Sequence, residues 1–198
     1  MGDTALAPTG MLIITQIFLV GITYLTGMFF MSSVNWRRWF DKLDWTGVPT
    51  SGWFYGLIWF ILYGLQVVSR IVACSREMNE GFRNDDGTYE DIFSIIYILF
   101  TVESLFNILW APTFFVLERE YSSAVILFID WALVVTQLII CAATERWLLF
   151  AFAAVYVIWL TTAFIFNLMA IPSMDRLRKE NKWLFNSHAW TKKFGLVP

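Results

Sequence analysis

The sequence has few of the residues that enzymes and metalloproteins use for chemistry. Its one histidine, His188, stands near the C-terminus, and its only cysteines are Cys74 and Cys141. A histidine-based metal site or general base among the apolar segments is therefore excluded, and the two cysteines show no metal-site spacing. Both cysteines end apolar segments. A disulfide between them is geometrically conceivable, but unpaired thiols are the expected state.

Charge is also scarce. Charged residues make up 15% of the chain and the net charge is -2, and many of the basic residues are gathered in the C-terminal tail. That pattern excludes nucleic acid as a partner. In contrast, 58% of the residues are hydrophobic and 11 are tryptophans, more apolar surface than a soluble domain of this length could bury. The chain is therefore an integral membrane protein, and the lipid bilayer is its first partner.

Apolar runs long enough to cross a bilayer as helices predict an all-α, five-transmembrane-helix bundle. Strands are excluded because the runs are too long for barrel strands and do not alternate. The first run is too long for a cleaved signal, and Asp3 rather than a basic residue precedes it. The predicted spans are approximately residues 11–34, 53–74, 92–117, 121–143 and 147–171.

Lysine and arginine predict the orientation of the bundle. Most of them fall on the side that holds residues 36–52, the Arg119 turn and the C-terminus, whereas the other side holds little beyond Arg76, Arg83 and Arg146. Positive residues favour the cytosolic side. Residues 1–10 are therefore predicted to be a non-cytosolic tail and residues 172–198 a basic cytosolic tail.

Polar and aromatic residues recur at helical spacing in every span and form stripes that are expected to face the bundle interior. Amides and aromatics of this kind also hold membrane helices together without binding a ligand. Charges in a span need a partner, and Arg70 with Glu103 is a plausible interhelical pair. The stripes comprise Gln16, Thr23 and Gly27; Trp59, Tyr63, Gln66 and Arg70; Phe100, Glu103, Asn107, Trp110 and Phe114; Ser123, Asp130 and Gln137; and Tyr156, Trp159, Ala163 and Asn167.

The position of each tryptophan separates two roles. Trp39, Trp53 and Trp147 fall at predicted membrane interfaces, where aromatic belts explain them. The inward stripes instead hold Trp59, Trp110 and Trp159, which are the better candidates for a pocket.

Four motifs in order, each at or on its own predicted helix, resemble the tryptophan-rich sensory protein and translocator protein family, TspO/MBR, also known as the peripheral benzodiazepine receptor family. That family has a five-helix fold. The similarity runs from Trp39 to about Asn167. The motifs are Trp39 to Leu43, Trp53 to Tyr63, Phe106 to Phe115 and Tyr156 to Asn167.

The chain departs from the family pattern at several positions. Thr50-Ser51 replaces a double proline in the loop that caps the family's pocket, and Val155 replaces a proline. Glu103 stands where the family has glutamine, and Asp130 lies one turn after the family's aspartate position. The sterol-recognition pattern is missing, since no tyrosine follows Ile171.

The resemblance implies a protein that binds tetrapyrroles such as protoporphyrin IX, or sterol-like and other lipophilic molecules, between its helices as a sensor, carrier or scavenger. It implies no covalent cofactor. An aromatic wall suits a flat macrocycle. Arg70 could pair with a propionate, while Glu103 and Asp130 are the other polar anchors. The implied ligand-binding residues are Trp59, Tyr63, Asn107, Trp110, Tyr156, Trp159 and Asn167.

Other functions stay open at this point. Trp59 and Trp159 resemble tryptophans linked to light-dependent porphyrin breakdown, which would make the protein an enzyme without acid-base residues. A drifted family member could instead be a ligand-free scaffold subunit of a larger membrane complex. A proton or ion transporter is the weakest alternative, because no broken helix or internal repeat supports it. Homodimerisation also stays open. The resemblance does not fix the location of the protein, which would be the mitochondrial outer membrane or another organellar membrane in a eukaryote, or the cell envelope in a bacterium.

Overall fold

The computed structural model describes residues 6–32, 40, 43, 52–74 and 92–180. Trp39, His188 and the tail beyond residue 180 lie outside this part of the chain. Five helices account for nearly all of it: α1 (Leu6–Ser32), α2 (Gly52–Cys74), α3 (Ile92–Phe115), α4 (Glu120–Ala143) and α5 (Trp147–Glu180). All five are long and apolar enough to cross a membrane, and no strand occurs among the described residues. The predicted five-helix membrane bundle is confirmed.

The helices form a closed ring in the order α1, α2, α5, α4, α3. Each helix packs against its two neighbours in this ring, and α2 and α5 contact each other least. Short turns join α3 to α4 and α4 to α5, whereas α2 and α5 are far apart in the sequence. We call the sparsely packed α2–α5 interface the seam.

α1 shows how the polar stripes set the inward faces. Gln16, Val20 and Thr23 are buried, and they share one face at a spacing of three and four residues. Large apolar side chains such as Phe18 and Phe29 are exposed on the outer surface, where lipid replaces water as the solvent. The same division on the other helices places the aromatic and polar residues inside the ring.

α5 continues to Glu180, past the boundary predicted at residue 171. Met174 and Leu177 follow Ala170 along one face, and they are buried in a cluster with Phe40 and Leu43. Pro172 lies within the helix on its exposed side. Because this last stretch has apolar partners inside the protein, it stays helical although its sequence has the charge pattern of a juxtamembrane tail.

Candidate functional site

Aromatic side chains surround a cavity of about 60 Å³ at the end of the bundle that carries the α3–α4 turn. It lies at the seam between α2 and α5, and α3 closes its third side. We call it the aromatic cavity. Its lining residues are Met31, Phe40, Tyr55, Trp59, Trp110, Phe114, Phe115, Trp159, Ala163, Phe166 and Asn167.

Three tryptophans from different helices meet at this cavity. The ring centroid of Trp59 lies 5.8 Å from that of Trp159, with the rings nearly perpendicular, and 6.0 Å from that of Trp110. Tyr55 contacts Trp159 from the preceding turn of α2, at 6.3 Å between centroids. Edge-to-face and tilted contacts of this kind leave ring faces and edges available to an aromatic ligand. Trp159 also has a buried indole N–H with no acceptor among the described residues.

Asn167 supplies the amide group of the aromatic cavity and ties three helices together. In the amide orientation that satisfies its hydrogen bonds, Oδ1 accepts from Trp110 Nε1 at 3.1 Å and Nδ2 donates to the Glu120 carbonyl at 3.1 Å. Ser123 Oγ lies 3.1 Å from the same Oδ1. These bonds hold the Trp110 indole in place against α5.

A second, smaller cavity of about 20 Å³ lies on the α1 side of Trp59 and Trp110. The wall between the two cavities is formed by residues that line both of them, namely Met31, Trp59, Trp110 and Phe115. Gly27 and Gly56 face the small cavity, and a Cβ atom at either position would meet no atom within 4 Å.

Asn107 is the hub of a polar cluster beside the small cavity. Its Oδ1 accepts a hydrogen bond from Tyr63 Oη at 2.8 Å, and its Nδ2 donates to Asp130 Oδ2 at 3.2 Å and to Tyr156 Oη. The amide thus connects α3 to α2, α4 and α5. Buried polar groups in lipid need such partners, and this cluster fixes the relative rotation of four helices.

The expected interhelical pair of Arg70 and Glu103 is present. Arg70 Nη2 lies 3.2 Å from Glu103 Oε2, and each side chain is only 2% exposed. Arg70 Nη1 also donates to Gln16 Oε1 and Ser104 Oγ, both at 2.8 Å. The guanidinium therefore joins α2 to α1 and α3, away from both cavities.

The structure divides the predicted site residues into groups. Trp59, Trp110, Trp159 and Asn167 line the aromatic cavity, and Tyr63 and Asn107 line the small one. Tyr156 lines neither and supports Asn107 from behind.

Arg70, Glu103 and Asp130, the predicted polar anchors, lie away from the two cavities. None of the three lines either cavity, because their polar atoms face other helices.

Tyr55 and Phe166 are lining residues that sequence reasoning missed. Their rings contact each other across the seam, at 6.3 Å between centroids. Helical spacing could have found both, since Tyr55 lies one turn before Trp59 and Phe166 two turns after Trp159.

Cys74 and Cys141 are both buried and unpaired. Within the described segments, no group of three or more histidine, cysteine, aspartate or glutamate side chains could hold a metal ion.

A charged cluster closes the end of the bundle next to the aromatic cavity. Arg178 of α5 donates to both carboxylate oxygens of Glu120 and to the Glu118 carbonyl oxygen. Glu120 is buried beneath it. The pKa of the Glu118 carboxyl is raised to about 7, mainly by burial; Arg178 opposes this shift and Glu120 adds to it.

Comparison with known proteins gives one match. The model of the TspO/MBR family matches residues 13–171. Neither the curated proteins nor the solved structures contain a match to the chain.

Proposed function

Because the chain belongs to the TspO/MBR family and is an integral membrane protein, we propose that it binds a flat, largely apolar ligand in the aromatic cavity. The tetrapyrrole class, with protoporphyrin IX as its representative, fits best. The observation that carries the proposal is the meeting of Trp59, Trp110 and Trp159 around one space. Indole rings offer a macrocycle large stacking surfaces at small conformational cost.

The aromatic cavity has to widen to accept such a ligand. Its volume is about 60 Å³, whereas sites for small organic molecules measure roughly 300–1,000 Å³. The α2–α5 seam is the least extensively packed interface between neighbours in the ring, so we expect these two helices to separate more readily than the other neighbours.

The polar groups of the cavity favour a ligand with few charges inside it. Trp159 offers an unpartnered N–H donor, whereas the Asn167 amide is already hydrogen-bonded to Trp110 and Glu120. None of the described lining residues is charged. The carboxylates of a porphyrin would therefore stay outside this uncharged lining, while its ring stacks on the tryptophans. A sterol-like molecule satisfies the same conditions but gains less from stacking.

The proposal is tested by titrating the detergent-solubilised protein with protoporphyrin IX in the dark and following tryptophan fluorescence. Trp59→Phe and Trp159→Phe should each weaken binding about 3- to 10-fold, since one aromatic contact contributes about 0.5–1.5 kcal/mol. Trp147→Phe is the matched control because Trp147 is 62% exposed and lies outside the aromatic cavity. It should leave the affinity unchanged.

Quenching that rises linearly with porphyrin, or that is equally affected by all three substitutions, would overturn the proposal. The ligand-free scaffold role would then be the better account. Isolation of the protein from its native membrane with mild detergent, followed by identification of co-purifying subunits, would test that role.

One observation favours a second function, light-dependent breakdown of the bound porphyrin with dissolved dioxygen as the oxidant. Trp59 and Trp159 are in contact and both face the aromatic cavity, so either indole could give one electron to an excited macrocycle stacked on it. The indole would become a radical cation and the macrocycle a radical anion, which dioxygen would then oxidise. Illumination of the saturated complex should then deplete porphyrin absorbance, and Trp159→Phe at saturating ligand should slow the loss. Equal rates in the variant and in Trp147→Phe would exclude an indole donor at position 159.

A further inference from the structure

The five predicted spans hold three Asp, Glu, Lys or Arg side chains, and all three belong to the described structure: Arg70, Glu103 and Asp130. Each is at most 2% exposed. Two acids thus share one cation in a part of the protein that lipid surrounds. If both acids were ionised, the cluster would carry a net negative charge where a charge is most costly.

Arg70 forms an ion pair with Glu103. Its Nη2 contacts Glu103 Oε2, and Gln137 Nε2 donates to the same oxygen at 3.2 Å. A carboxylate that receives a charged and a neutral donor is stable in its ionised form. Arg70 and Glu103 therefore balance each other.

Asp130 has no such compensation. Its Oδ2 accepts only from the neutral amide of Asn107, and its Oδ1 is buried with no hydrogen-bond partner among the described residues. The groups that act on it from the packed helices are Glu103 on α3, Arg70 and Tyr63 on α2 and Tyr156 on α5. An unpartnered oxygen costs far less on a neutral acid than on a carboxylate.

We propose that Asp130 is a buried proton-binding site, whose carboxyl holds a proton at neutral pH while Glu103 stays ionised against Arg70. The proton is coupled to the small cavity through Asn107, which donates to Asp130 with its Nδ2 and lines that cavity. A ligand that displaces the Asn107 amide changes the hydrogen bond to Asp130. Ligand and proton then affect each other's binding reciprocally. This coupling rests on the proposed function; the proton site does not.

Infrared spectroscopy of the ligand-free protein at neutral pH tests the site directly. A protonated carboxyl has a C=O band separate from those of amides and carboxylates, and this band shifts in D₂O. We expect such a band in the wild type and its loss in Asp130→Asn. Isotopic labelling of aspartate with ¹³C should shift the same band in the unmutated protein, so the test does not depend on folding of the variant.

The control variants separate Asp130 from the other acids. Asp175→Asn changes a half-exposed acid near Arg178 and should leave the band in place. The double variant Arg70→Gln with Glu103→Gln removes the ion pair without unbalancing the charge and should also retain the band. The proton site is overturned if the wild type has no aspartate-derived band, or if the double variant loses it.

Protoporphyrin IX tests the coupling. Added to saturation in the dark, it should shift the Asp130 band, and an unshifted band at saturation would overturn the coupling. Failure of the porphyrin to bind would reject the proposed function, whereas the spectrum of the ligand-free protein decides the proton site independently.

Discussion

At Glu145 the backbone adopts the left-handed conformation, with φ 56°. The residue ends α4 in a Schellman arrangement: its N–H donates to the Ala142 carbonyl, and the Arg146 N–H donates to the Cys141 carbonyl. Glycine adopts this conformation without a Cβ clash. We expect Glu145→Gly to increase stability by about 0.5–1 kcal/mol, seen as a higher thermal midpoint in detergent.

Alanine at the same position is the matched control. Glu145→Ala removes the exposed carboxylate but retains Cβ, so it should give no increase. A gain with alanine equal to that with glycine would attribute the effect to the charge instead of the backbone.

The Glu118 carboxyl makes stability depend on pH. Burial raises its pKa from 4.5 in the unfolded chain to about 7, so the folded state binds the proton more tightly. Stability therefore falls as pH rises from about 4.5 through 7, by about 1–2 kcal/mol after solvent screening. Glu118→Gln should lose this dependence. The difference in thermal midpoint between wild type and variant, measured across that range, should grow with pH, and a constant difference would contradict the shift.

The buried polar residues show which properties of individual residues can be predicted from the sequence. Helical spacing identified Gln16, Glu103, Asn107 and Gln137 as inward-facing, because a polar group in a span has to avoid lipid. Spacing does not tell which atoms meet. That Asn107 bridges Tyr63 to Asp130 follows from the rotation and height of four separate helices.

Among the elements, α5 depends on the contact between Arg178 and Glu120. This bidentate pair joins the end of α5 to the start of α4, and Glu120 is buried under it. Arg178→Ala would leave that carboxylate unpaired, at a cost of about 2–3 kcal/mol. The last turns of α5 should loosen, and trypsin should cleave at Lys179 faster than in the wild type.

Arg176→Ala is the control for that experiment, since Arg176 is exposed two residues away on the same helix. Its thermal midpoint should stay at the wild-type value. Equal destabilisation by both substitutions would show that the positive charge near the end of α5, and not the contact with Glu120, stabilises this part of the helix.

The predicted helix ends lie close to the observed ones where the thickness of the bilayer determines the length of the helix. They differ where packing within the protein extends the helix. The α2 and α4 spans end within about one residue of their predicted bounds, because bilayer thickness dictates their apolar length. The sequence predicted an earlier end for α5 because the apolar residues Met174 and Leu177 are surrounded by charged residues in the sequence. Packing against Phe40, Leu43 and Phe115, together with the Arg178–Glu120 pair, makes that stretch part of the bundle.

The whole molecule has a charge asymmetry that makes its orientation testable. In the described structure Arg119, Arg176, Arg178 and Lys179 lie at one end of the bundle and Arg146 at the other. We expect a C-terminal fluorescent fusion to be protease-sensitive from the cytosol and an N-terminal tag to be protected. Accessibility of both termini from one side would contradict the prediction and the odd number of spans.

The closed ring of five helices leads to a prediction about how a ligand enters. If a macrocycle enters by separation of α2 from α5, a covalent tether across that seam should block it. Tyr55 and Phe166 contact each other there, so Tyr55→Cys with Phe166→Cys can be joined by a short bis-methanethiosulfonate linker, which forms a reducible disulfide with each thiol. The tethered protein should lose at least about tenfold in protoporphyrin IX affinity, and reductive cleavage of the linker should restore it.

A tether at another interface provides the comparison. Trp131 Nε1 donates to Thr161 Oγ1 at 2.9 Å between α4 and α5, and cysteines at these two positions accept the same linker outside both cavities. Each variant is its own reference before and after cleavage, so the loss of two aromatic rings does not confound the result. If both tethers lowered the affinity equally, the seam would not be the point of entry. A selective effect at positions 55 and 166 would mean that the ligand needs the space at the seam that the linker spans.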